Sequence, residues 1–199
     1  MPLRLLATAA TLLLAPGTAQ AHSAIQGIGT FYNGILHPLV VPAHLLLLLA
    51  LGLLLAQQGS RDSQKGLLAA VVAVWVGLML SHLAKADYLT PFILSAAALA
   101  AVLVAISRPL PLPVTLLFAL GSALLVGLDS GQDELQGREQ LTMMFGTGVG
   151  VTLLLLYSTA LGHLFSKRAW QRIGVRVVGS WIAASSLMVL ALSLATSTV

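Results

Sequence analysis

Apolar residues run along this chain in long stretches, each followed by a short polar gap before the next begins. The stretches predict helices near 36–57, 66–84, 91–107, 113–128, 141–165 and 175–196. Most reach the ~17 residues that a helix needs to cross a bilayer. The fourth is the shortest, and the fifth is long enough to tilt or kink. The connections are brief, so no soluble domain is expected between them. The expected fold is therefore an all-α membrane protein, a bundle of about six transmembrane helices in one domain over 22–199.

The N-terminal segment has a different character. Arg4 supplies a positive start, residues 5–15 form a short apolar run, and Pro16-Gly17 breaks it. Ala19-Gln20-Ala21 then offers a small-x-small cleavage site. That order is the pattern of a secretory signal, predicted to occupy 1–21. Cleavage after Ala21 would leave His22 at the new terminus, where an α-amine beside an imidazole chelates divalent ions.

Composition agrees with a lipid environment. Of the 199 residues 58% are hydrophobic and only 8% charged, against roughly 25% charged in soluble domains. The absence of cysteine excludes disulfides, thiolate metal sites and iron–sulfur clusters of the usual kind. The net charge of +4 does not indicate nucleic acid, because the basic residues lie in the short connections. Arg61 and Lys65, then Arg108, then Lys167, Arg168, Arg172 and Arg176 occupy alternate loops. The intervening side holds Lys85 and Arg138 but also Asp87, Asp129, Asp133, Glu134 and Glu139. By the positive-inside rule the basic loops face the cytoplasm. An exported N-terminus demands the same orientation. The expected location is a bacterial inner membrane, with both mature termini outside.

Ionisable groups inside a membrane are costly and mark function by default. Of the five histidines, His22, His37, His44 and His82 fall on the outer side of this topology, and His163 lies toward the inner end of the fifth helix. His37-Pro38-Leu39-Val40-Val41-Pro42-Ala43-His44 is the most distinctive segment. In a regular helix the two histidines share a face about 10 Å apart. That is too far for one ion, but Pro42 lacks an amide donor, and a break there would bring them nearer. Asp129 ends the fourth stretch, with Asp133 and Glu134 beyond it. Imidazole and carboxylate together suit nickel, zinc, copper or cobalt. The candidate metal ligands are His22, His37, His44, His82, Asp129 and Glu134. No arrangement of nucleophile and base is present, so no enzyme is expected. Gly146 and Gly150, spaced small-x-x-x-small, predict a helix-packing face within the chain or in a homo-oligomer.

Gly34-Ile35-Leu36-His37-Pro38 through His44-Leu45-Leu46, following a signal segment that ends Ala21-His22, resembles the HupE/UreJ family of small membrane proteins associated with hydrogenase and urease. Ser158-Thr159-Ala160-Leu161-Gly162-His163 is weakly similar to a late family segment. Ala43 stands where the family has Asp, and the region 127–134 lacks the histidines of a second family motif. The resemblance implies a divalent-metal permease or metal-delivery protein of nickel type. The alternative, which the glycine face of the fifth helix favours, is a non-transporting scaffold or accessory subunit for a metalloenzyme or other complex.

Overall fold

A computed structural model of the chain describes residues 27–83, 88–131 and 135–196, with Thr196 described by its backbone only. The predicted signal segment and His22 lie outside the described residues, as do Lys85, Asp87, Asp133 and Glu134. The described residues form seven α-helices and no strand. They are α1 (Gly29–Val40), α2 (Pro42–Ala56), α3 (Ser60–Leu80), α4 (Thr90–Ile106), α5 (Leu112–Asp129), α6 (Arg138–Leu164) and α7 (Ala169–Thr196). One 3-10 turn, Ser81–Leu83, extends α3.

Expected and observed helices differ mainly in the first span. The stretch expected as one helix over 36–57 is two helices, α1 and α2, bent by 72°. Val41 sets the break. A residue before proline is pushed out of the helical region, and Val41 sits at φ −89°, ψ 108°. Pro42 then occupies the first turn of α2, where its missing amide hydrogen costs no hydrogen bond. Four helices are long and apolar enough to cross a membrane: α5, α6, α7, and α3 with its 3-10 turn. The bent pair passes the same test only when its two helices are taken together as one broken span, and α4, at 17 residues, is a shorter apolar helix. Six regular spans are therefore not what the described residues show. α3 starts at Ser60 rather than Gly66, and α7 at Ala169 rather than Val175. Polar first turns at the membrane surface continue helices whose apolar run begins only later.

α2 is the central helix. Leu47, Leu48, Ala50, Leu51 and Leu55 are fully buried, consistent with a helix apolar on every side. α4 and α6 flank it, α3 pairs with α5, α7 packs on α4, and α1 lies along α6. Close pairs meet at glycines, which let backbones approach as membrane helices require. A Cβ on Gly127 would stand 2.5 Å from the Val74 carbonyl of α3, and one on Gly146 or Gly150 would overlap the Phe31 or Ile35 carbonyl of α1. The small-x-x-x-small face of α6 is thus a packing seam within the chain.

Hydrogen bonds collect the basic turns at one end of the bundle. Leu110 N donates to Gln58 Oε1 at 2.9 Å, Gln57 Nε2 to the Val104 carbonyl at 3.0 Å, and Arg176 Nε to the Ala105 carbonyl at 2.7 Å. The end of α5 and the turn after α3 meet at the opposite end, where a Cβ on Gly131 would contact the Ser81 side chain.

Candidate functional site

The break between α1 and α2 builds the site. Seven residues of regular helix would hold His37 and His44 about 10 Å apart. With the axis turned at Val41, their ring centroids lie 5.4 Å apart, edge to face. Both side chains are buried, His37 at 4% exposure and His44 at 0%.

α5 brings the carboxylate. Asp129 is the last residue of that helix and only 8% exposed. Its Oδ2 lies 2.8 Å from His44 Nε2. In a neutral imidazole this contact assigns the proton to Nε2, which donates to the carboxylate, and leaves the lone pair on Nδ1. His44 Nδ1 and Asp129 Oδ1 are both buried and have no hydrogen-bond partner. Buried polar atoms are seldom left so. A carboxylate holding one imidazole nitrogen, with the other presenting a lone pair, is the usual arrangement behind a metal-ligating histidine. Ser81 and Ser130, buried nearby, donate to the carbonyls of Leu78 and Val126 within their own helices.

His44 therefore meets both His37 and Asp129. His82 does not join them: it is exposed, and its Nδ1 bonds the Met79 carbonyl at 3.1 Å. His22 and Glu134 lie outside the described residues. His163 is far along α6, where its Nε2 meets Ser63 Oγ at 3.1 Å. Among the described residues, no group of three or more His, Asp or Glu side chains is already arranged to hold a metal ion.

The role of Asp129 as a hydrogen-bond partner of His44 was not visible in sequence, since 85 residues separate the two. The position of Asp129 directly at a helix end was the available signal. Cavities lie elsewhere, two of them wholly apolar in character or nearly so. One of about 460 Å³ opens between α3 and α6 beside Trp75, Met79 and Phe145, and one of about 360 Å³ lies among α2, α6 and α7.

The sequence model of one family, described as HupE / UreJ protein, matches residues 10–189. No curated protein and no solved structure matches the chain.

Proposed function

Because the chain belongs to the HupE/UreJ family, we propose that this multi-pass membrane protein is a permease or delivery protein for a divalent transition metal, nickel in the first place. The observation that carries the reading is the buried His37–His44 pair with Asp129 held on His44. Two imidazoles and one carboxylate suit nickel, cobalt, zinc or copper better than magnesium or calcium, which favour oxygen ligands.

The ion is cargo, and the residues would act on it as follows. His44 presents Nδ1 as a donor while Asp129 fixes the ring. His37, carried on the other side of the hinge, offers a second imidazole. A site of few ligands suits transport, because binding must be weak enough for release. The reading assigns no catalysed reaction. It places the protein in a bacterial inner membrane, basic end inward, with the signal removed after Ala21 so that His22 and the acidic 129–139 region face the incoming ion. His82 and Glu134 would serve at this entrance.

The test is metal accumulation in cells expressing the protein, measured for nickel, cobalt, zinc and copper. Accumulation above the empty-vector level is expected for one of these ions, with loss in His37→Ala and His44→Ala variants of equal expression. Identical accumulation in vector, parent and both variants would remove the reading. The alternative, a non-transporting scaffold or accessory subunit, would then be supported by a stoichiometric partner co-purifying with the protein. The α6 glycine seam no longer favours that alternative, since α1 already covers it.

A further inference from the structure

α7 is the outlying helix of the bundle. It lies against α4 and touches α2 only lightly, which leaves a crevice open between it and α6. Leu49 and Leu53 of α2 form the floor, Leu161 and Phe165 one wall, and Trp170 through Ile182 the other. Its volume is about 360 Å³. From Trp170 to Ile182 the helix rises about 18 Å at its usual pitch. That is close to one leaflet of a hydrocarbon core about 30 Å thick.

The crevice meets a polar pocket at the basic end of the bundle. Gln57, Ser107, Ser166 and Arg172 line this pocket, and Val175 lines both spaces. Lys167 and Arg168 stand in the adjoining turn, with Arg176 one helical turn beyond Arg172. Arg176 is engaged with the Ala105 carbonyl. Asp62, in the first turn of α3, is the only carboxylate at this end among the described residues. A long apolar slot with a cationic mouth matches a molecule with a hydrocarbon chain and an anionic head. Basic pockets between membrane helices on the cytoplasmic side bind such heads.

We propose that the α6–α7 crevice is a binding site for one anionic phospholipid, with an acyl chain between the helices and the phosphate at Arg172. The site is separate from the His37–His44–Asp129 cluster and does not depend on the metal reading. The lipid would complete the packing of α7, which the protein alone buries poorly, since only 22% of its apolar span is buried.

The test uses the full-length protein, purified in detergent and stripped of lipid. Its thermal unfolding is followed on adding phosphatidylglycerol, phosphatidylcholine with the same chains, or inorganic phosphate. Phosphatidylglycerol is expected to raise Tm, and the other two to leave it unchanged. Arg172→Gln is expected to lose most of the shift, and Arg61→Gln to keep it. Gly174→Leu provides a second probe, because a Cβ there meets open space and a leucine would fill the slot without disturbing the fold. It is expected to lose the shift as well. An equal shift from phosphatidylcholine would overturn the recognition of charge, and a shift from inorganic phosphate alone would make the site one for a free anion. A full phosphatidylglycerol shift in either Arg172→Gln or Gly174→Leu would place the lipid elsewhere.

Discussion

Asp129 lies within hydrogen-bond reach of His44, and against a neutral imidazole it would select the tautomer that keeps the lone pair on Nδ1. Replacing the carboxylate with an amide retains a hydrogen bond but not the tautomer, since an amide serves equally as donor or acceptor. Asp129→Asn is therefore expected to weaken metal accumulation by about 10–100-fold in apparent affinity, the usual scale for losing an orienting partner. A concentration series of nickel, the ion of the proposed function, checks this. Unchanged affinity would show that Asp129 is only a packing partner. The candidate ligands His37, His44 and Asp129 were legible in sequence as ionisable groups placed where lipid or core should be. Their contact was not, because the order of helices around a bundle leaves no trace in hydrophobic pattern. His82 read as an equal candidate for the same reason, and its exposure sets it apart.

At the scale of elements, two features carry separate predictions. The first is the break at Val41. In Pro42→Ala, Val41 is no longer a pre-proline residue, and the helical conformation becomes open to it. Straightening would part the two rings toward the about 10 Å of a regular helix. Metal accumulation should fall toward the empty-vector level while the protein still folds. Parental accumulation in a correctly folded variant would show that other contacts hold the histidines together. The second feature is the seam between α1 and α6. Gly146→Leu must push the Phe31 backbone aside, and overpacking of this kind costs about 1–3 kcal/mol or more. A lowered Tm is expected, with no such loss in Gly121→Leu, where a Cβ meets open space. Sequence marked both places, through Pro42 and through the spacing of Gly146 and Gly150. It could not tell that the bend would split one span into two helices, because both halves are uniformly apolar and only the backbone at Val41 separates them.

At the scale of the molecule, the basic turns gather at one end and Asp129 and Glu139 mark the other. The chain has no cysteine, so single introduced cysteines report orientation without background. Gly59→Cys is expected to resist a membrane-impermeant maleimide in intact spheroplasts, and Glu139→Cys to react. The reverse pattern would invert the topology derived from loop charge. The helical class and the alternation of ends were legible in the sequence, because lipid and loop charge act on composition directly. The count of crossings was less so, since apolar length alone does not distinguish a straight span from a bent one.

The 85 positions from His44 to Asp129 also have a meaning in time. At roughly 5–20 residues per second, His44 is synthesised about 4–17 seconds before the carboxylate that will hold it. During that interval the His44 imidazole lacks its Asp129 partner, and α5 and α6 are still unmade. The cluster is thus completed late in the birth of the chain, and a protein arrested before α5 would carry both histidines yet lack the group that orients them.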